Sequence, residues 1–385
     1  MLLSVLLLLI CLCFLLVQFS SRRPKNFPPG PIALPFLGNA LNLAVDNPLG
    51  YLEMLRRTYG NVYSLYIGPR VAVVVSGTQA LKEALVNKAV DFAGRPQDLF
   101  MNDITERRGV IFVDYCPAWK EHRRFALMTM RNFGLGKQSM EERILGELQY
   151  TIEKLEKSTV FIDLKMYDTR VDTSFCPDEL LMSCINLHTA GSDTSSNTLL
   201  SGFLYLMTKP HIQERCQQEI DRVLEGKDCV TFEDRHNMPY VQAVLHEIQR
   251  MGDTVPLSVF HETTRDTELM GYSIPKGITI IPNLSSALNE EGQWKFPHEF
   301  NPENFLNDKG EFVKPDAFLP FSAGPRVCPG ESLARMELFL IMVTLLRRFR
   351  FIWPEDAGEL DYELEFGITS MPKPYNMKVE LRAAQ

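Results

Sequence analysis

The 385-residue sequence predicts a mostly α protein with small β-sheets, an α+β fold carried on an N-terminal transmembrane anchor helix. Three observations predict it. Residues 1–19 form an almost unbroken apolar run in which Gln18 is the only strongly polar residue. Several long stretches repeat apolar residues at three-and-four spacing, the longest over 177–207. Strand-like runs, by contrast, are short, chiefly 62–67 and 71–75 on either side of Gly68-Pro69-Arg70.

Hydrophobic residues make up 45% of the chain, enough for one large core or two modest ones. The net charge of -8 argues against nucleic acid as a partner. Eight cysteines are spread without CxxC pairs, and those beyond Cys11 and Cys13 read as reduced thiols of a cytosol-facing domain. No zinc site, internal repeat or low-complexity tract is present in the sequence.

The first apolar run is just long enough to span a bilayer. Arg22, Arg23 and Lys25 follow it, and the positive-inside rule keeps them in the cytosol. A cleaved signal peptide is the competing reading, but the run lacks a basic start and an A-x-A-like cleavage site. Residues 1–20 are therefore assigned to a membrane anchor and 21–35 to a basic, proline-rich hinge. There Phe27-Pro28-Pro29-Gly30-Pro31 stiffens the exit as an extended spacer. An SH3-type ligand is the other reading of those prolines.

Pro48 to Tyr59 reads as a helix ended by Gly60, followed by the 62–67/71–75 hairpin and a short helix to about Lys88. Residues 94–113 are irregular and mixed in polarity. A helix opens at Trp119 after Pro117, and Trp119 and Arg123, four apart, share one of its faces. A solvated basic face with a half-buried tryptophan is the ordinary reading of such a pair. Ser139 with Glu142 makes a capping box for a helix reaching about Lys157. The stretch 177–207 contains Ala190-Gly191-Ser192-Asp193-Thr194-Ser195, small and polar residues that weaken a helix interior. A capped break between two helices would account for them. In the helix 238–251, Glu247 and Arg250 stand three apart, a spacing that mostly gives weak surface ion pairs. His261 follows, a residue type more often satisfied in place than functional. Near the C-terminus Phe366-Gly367-Ile368-Thr369 reads as a turn able to dip into an active site.

The chain is organised around the loop Phe321-Ser322-Ala323-Gly324-Pro325-Arg326-Val327-Cys328-Pro329-Gly330. Its glycines and prolines forbid regular structure, and a helix pattern begins at Ser332 and runs to about Phe349. Cys328 thus stands at a helix N-terminus, where the amides of Gly330 and Glu331 and the dipole favour a thiolate. Arg326, two residues before the sulfur, is expected to add a nearby cation. A lone cysteine is ordinarily a small buried hydrophobe. The spacing of Phe321, Gly324, Arg326, Cys328 and Gly330, however, resembles the haem-binding signature of the cytochrome P450 family.

The resemblance covers nearly all of the chain and implies a cytochrome P450 fold of the microsomal, family-2-like type, over 36–385. It implies Cys328 as the axial ligand of haem b. Trp119 and Arg123 match the family's W-x-x-x-R motif, which hydrogen-bonds a haem propionate, and Arg95 and His261 fall near positions that do the same. Ala190-Gly191-x-Asp193-Thr194 matches the oxygen-activation motif, where the helix widens locally and an acid beside a hydroxyl relays protons. Glu247 and Arg250 match E-x-x-R, a structural clamp. The segment 300–305 resembles P-E-R-F with Asn304 in place of arginine, which is expected to weaken the clamp's third arm. The implied activity is insertion of one oxygen atom from O₂ into a lipophilic xenobiotic, fatty acid or steroid. Electrons come from NADPH through a flavoprotein reductase, with cytochrome b5 as a further partner, on the cytosolic face of the endoplasmic reticulum membrane. Lys120, Arg131 and Lys137 are candidates for the reductase-facing patch.

One departure stands against this. After the helix ending near Lys157 the chain passes almost directly to Phe161-Ile162-Asp163-Leu164, which resembles the segment before the long helix. The sequence is short of a full family member by on the order of a hundred residues, the middle helices that roof the substrate pocket. A catalytically inactive, membrane-bound shortened isoform that at most binds haem is therefore the alternative. A haem-thiolate isomerase or dehydratase working without a reductase is the third, disfavoured by the Asp193-Thr194 pair.

Overall fold

The computed structural model describes residues 4–12, 23–34, 36–43, 47–132, 138–157, 177–358 and 361–382. A helix, α1, covers 4–12 with its side chains exposed, and the rest of the apolar run lies outside the described residues. Among the described residues no helix is long and apolar enough to cross a membrane. The proline-rich segment after it is docked rather than a free spacer. The Ser64 amide donates to Pro29 O at 2.7 Å, Arg23 Nε donates to the Ser64 hydroxyl at 2.7 Å, and Phe27 is buried.

Two short helices, α2 (Ala40–Leu43) and α3 (Pro48–Tyr59), lead to the expected hairpin of β1 (Val62–Ile67) and β2 (Arg70–Ser76). Its register runs from Val62 opposite Val75 to Ile67 opposite Arg70, with Gly68 at φ +60° in the turn. Val73, Val74 and Val75 have no exposed surface, the signature of a strand covered on both faces. β2 then pairs in parallel with β6 (Thr279–Asn283), which pairs antiparallel with β3 (His261–Glu262), giving the order β1-β2-β6-β3. This sheet carries His261. Between β3 and β6 the hairpin β4 (Thr267–Leu269) and β5 (Tyr272–Ile274) packs Leu269 and Ile274 beneath it.

After β2 come α4 (Thr78–Lys82) and one π turn, Glu83–Asn87. The stretch 94–113, read as irregular, contains the five-residue helix α5 (Phe100–Ile104). α6 (Pro117–Asn132) and α7 (Gln138–Lys157) follow. Ser139 is already inside α7, so it does not cap the helix as the sequence suggested. The segment 161–164 lies outside the described residues.

The helical half packs α8 (Pro177–Thr208), α9 (Pro210–Val223), α10 (Pro239–Gly252) and α12 (Glu331–Arg348) around one large core that includes Leu206, Ile220, Val244, Leu340 and Val343. α12 is apolar all round after its second turn, as a helix enclosed by others must be. Gln213 and Gln217 on α9 donate to Leu206 O and Leu346 O, carbonyls that the ends of α8 and α12 leave orphaned, and to Phe349 O and Phe351 O of the strand that follows α12. α8 stays helical through Ala190–Ser195; neither a break nor a widened turn appears there. α11 (Leu284–Leu288) follows β6. Two C-terminal pairs, β7 (Phe349–Ile352) with β10 (Lys378–Leu381) and β8 (Leu364–Phe366) with β9 (Ser370–Pro372), complete the chain.

Candidate active site

The Cys328 loop is shaped by a single close approach. Gly324 sits at φ +73°, and a Cβ there would lie 1.8 Å from Leu85 O, so only glycine fits against the π turn. Gly324–Arg326 makes one turn, and the Cys328 amide donates back to Phe321 O at 3.0 Å. The thiol then stands before α12. Burial pushes its pKa up, while the Gly330 and Glu331 amides and the Arg123 guanidinium pull it down. The cation acting on the sulfur is thus Arg123, not Arg326 as the sequence suggested, and without a metal the burial wins.

Arg326 turns the other way. Its guanidinium lies 3.7 Å over the Trp119 ring and donates to Ala93 O (2.9 Å) and Val113 O (2.8 Å). Burial and the neighbouring Arg123 push it down to about 9, and its Nη1 is buried without a partner. Arg95 is buried beside it, donating to Ile111 O, Val259 O and Phe260 O. Burial, then Arg326 and Arg123, depress it well below the usual arginine range. His261 donates from Nδ1 to Phe92 O at 2.6 Å, which leaves Nε2 buried and unpartnered. Burial and Arg95 hold this imidazole neutral. Arg123 donates to Val327 O.

Four cationic or cationisable groups from four separate segments therefore converge, with Asp114 the acid acting on Arg95 and Arg326. A single carboxylate leaves such a cluster short of negative charge. The buried, unpartnered Nη1 of Arg326 fits a carboxylate, whose charge would in turn let His261 take up a proton at its free Nε2 and donate to it, and the thiol in its amide cradle fits a thiophilic metal. Among the described residues no group of three or more His, Cys, Asp or Glu could hold a bare metal ion. The donor set fits iron carried in a porphyrin with propionate arms. Trp119 departs from the expectation: its indole N–H is engaged by Val110 O at 2.9 Å. Its ring serves instead as the platform for Arg326.

On α8, Ala190 and Gly191 are exposed, and a Cβ on Gly191 would meet nothing within 4 Å. Thr194 donates its hydroxyl to Ala190 O at 2.7 Å. Asp193, its neighbour in sequence, instead accepts from Thr369 Oγ1 at 2.6 Å. The C-terminal turn therefore reaches α8, through Thr369, the last residue of the turn read from the sequence. Glu337 was also missed. It accepts from Ser195 at 3.3 Å, and burial pushes its pKa up. Its signal was a lone carboxylate between Met336 and Leu338 on an apolar helix.

The Glu247 side chain accepts from Arg250, from the Asn301 amide (2.7 Å) and from Asn304 Nδ2 (3.1 Å). The third arm, expected to be weakened, is present as a neutral amide bond.

The sequence model described as Cytochrome P450 matches residues 28–168 and 159–379. Cytochrome P450 2K1 of Oncorhynchus mykiss is 34% identical over 479 aligned residues, covering 94% of this chain and 95% of the relative. Cytochrome P450 2F3 of Capra hircus is 34% identical over 487, covering 98% and 99%. Cytochrome P450 2D6 of Homo sapiens is 33% identical over 481, covering 96% and 97%. Each alignment is longer than the 385 residues of the chain, so positions of each relative stand opposite gaps here.

Proposed function

The chain belongs to the cytochrome P450 family of haem-thiolate monooxygenases, and on that premise we propose that it oxygenates lipophilic small molecules with Cys328 as the axial ligand of haem b. The observation that carries this reading is the convergence of Arg95, Arg326 and His261, with Arg326 Nη1 and His261 Nε2 buried and unpartnered, beside a cysteine in an amide cradle. When bound, haem supplies the activation of O₂ and the transfer of one oxygen atom to the substrate.

The protein's own groups do the rest. Arg95, Arg123, Arg326 and His261 receive the propionates, their mutual repulsion falling as two carboxylates arrive. Trp119 holds Arg326 in place by its ring face. Phe321, Gly324 and Gly330 shape the loop that presents the sulfur, and Gly191 and Ala190 leave the facing side of α8 open. Thr194 Oγ and the Asp193 carboxylate hold and move protons on that side.

NADPH is the electron source through a flavoprotein reductase, as in microsomal members. The reductase, and cytochrome b5 with it, docks on the basic groove of α6, where Lys120, Arg124 and Arg131 line one depression with Tyr115; Lys137 lies outside the described residues. Anchoring in the endoplasmic reticulum membrane through residues 1–20, with the catalytic domain in the cytosol, is supported by the apolar run and the basic residues after it.

A second reading has a specific observation behind it. Leu181 and Ile185 on α8, with Phe125 and Met128 on α6, are half or more exposed or nearly so, at 55%, 45%, 53% and 51%. Together with the two family matches overlapping at 159–168 and the gapped alignments, this supports a chain shortened between about 157 and 161. Such a chain is inactive if the roof it lacks is needed to hold haem. The reduced carbon-monoxide difference spectrum of the purified protein separates the readings. A thiolate-type band is expected of the monooxygenase, and its absence after haem reconstitution overturns that reading.

A further inference from the structure

The acid on α8 is held from outside its helix. Thr369 donates its hydroxyl to Asp193 Oδ2 at 2.6 Å, and Asn197 Nδ2, one turn further along α8, donates to the same hydroxyl at 3.4 Å. An amide nitrogen can only donate, so Asn197 takes a lone pair of Thr369 and leaves its single proton for Asp193. The chain of bonds therefore has one direction, from Asn197 through Thr369 to the carboxylate.

Thr369 is itself placed rigidly. It closes the turn between β8 and β9, where the Gly367 amide donates to Thr369 O at 3.1 Å and Phe366 pairs with Ser370. Ser370 is buried, and its amide donates to Thr254 O at 2.8 Å. Thr254 Oγ1 lies 3.1 Å from Thr198 Oγ1, back on α8. The turn is thus pinned to the face of α8 that carries Asp193, Asn197 and Thr198. The Thr194 hydroxyl goes to Ala190 O and stays out of this network, while its carbonyl accepts from Thr198 Oγ1 at 2.8 Å.

We propose that Thr369 is a positioning residue for the reaction: it orients the Asp193 carboxylate and, with Asn197, presents it as a proton acceptor. The C-terminal hairpin is then part of the proton-handling site. This rests on the reading of Asp193 as a proton-handling group.

The test compares Thr369→Val, which keeps shape and loses the hydroxyl, with Thr369→Ser, which keeps the hydroxyl, in the full chain. The first measurement needs no turnover. Isotope-edited infrared spectra with labelled aspartate identify the Asp193 carboxylate stretch as the band lost in Asp193→Asn. That band is expected to shift in Thr369→Val and to return in Thr369→Ser; an unmoved band overturns the proposal. The second is the ratio of product to NADPH consumed by the haem-loaded chain with reductase. A several-fold drop in Thr369→Val, restored in Thr369→Ser, supports the proposal. A drop in Asp193→Asn with none in Thr369→Val overturns the role of Thr369 in the reaction. An unchanged ratio in both, with a shifted infrared band, overturns instead the reading of Asp193. Equal thermal unfolding of the two Thr369 variants assigns the difference to the hydroxyl rather than to folding.

Discussion

Arg250 donates two hydrogen bonds, of 2.7 and 2.8 Å, to the Glu247 carboxylate, with neither side chain exposed to solvent. Every remaining arm is also used. Arg250 donates to Leu288 O, Pro297 O, Phe296 O and Glu299 O, and Glu247 accepts from Asn301 and Asn304. The pair ties α10 to the segment leading to the Cys328 loop.

Breaking such a pair leaves a buried charge alone, at a cost of about 3–5 kcal/mol. Arg250→Ala is therefore expected to lower the unfolding free energy measured in urea by that margin. Arg250→Lys restores little, because an ammonium cannot reproduce the fork to the carboxylate and four carbonyls. A loss under about 1 kcal/mol in Arg250→Ala, the range of a surface pair, contradicts the clamp.

Cys328→Ala removes the one described cysteine that stands in the amide cradle before α12. The variant is expected to show no thiolate-type band in the reduced carbon-monoxide spectrum and to lose haem on gel filtration. Retention of that band would falsify the assignment of the ligand.

Thr194→Ala is expected to keep haem but to send reduced oxygen to peroxide, since one of the two proposed proton-handling groups of α8 is gone. The reading is the ratio of product to NADPH with reductase present. An unchanged ratio makes Thr194 only a hydroxyl bonded back to its own helix.

His246 predicts an acid-labile fold. Its Nδ1 faces Gln242 O at 2.7 Å and its Nε2 faces Arg335, so the neutral ring is fully satisfied among Phe305, Phe312 and Phe318. Burial and then Arg335 push its pKa down to about 3. The unfolded chain takes up a proton near pH 6.5, as any free histidine does, while the folded one does not. Stability is therefore full above about pH 6.5 and falls toward pH 3, by up to about 1.4 kcal/mol per pH unit for this one proton. His246→Gln should flatten that slope in urea titrations between pH 6.5 and 4. An equal slope in both proteins would show that His246 is protonated in the folded state.

Restoring a middle segment taken from a longer relative covers the exposed flank of α8 and α6. At roughly 25 cal/mol per Å² of apolar surface, even one helix interface is comparable with the 5–15 kcal/mol margin of a folded domain. The restored chain is expected to hold more haem per polypeptide, unfold at a higher temperature and leak less peroxide. Equal values for the short chain on all three would show that it closes its own core.

What the sequence by itself determined is what depends on near neighbours along the chain. The turn at Gly68-Pro69 and the Cys328 loop ahead of α12 each follow from local backbone geometry, and each is found as read; the three-residue spacing of Glu247 and Arg250 by itself reads as a weak surface pair, and packing buried it. The tertiary structure alone decided which distant groups meet. Spacing placed Arg326 near the sulfur, yet packing turned it onto Trp119 and gave that position to Arg123. Motif matching offered the Trp119 indole to a propionate, yet Val110 O lies within reach first. The parallel pairing of β2 with β6 carries His261 toward Arg95, and the C-terminal turn delivers Thr369 to Asp193. Periodicity encodes the face on which a side chain stands. Its partner is chosen by which of the remote surfaces bury together, and that choice is a sum over the whole core rather than a property of any one segment.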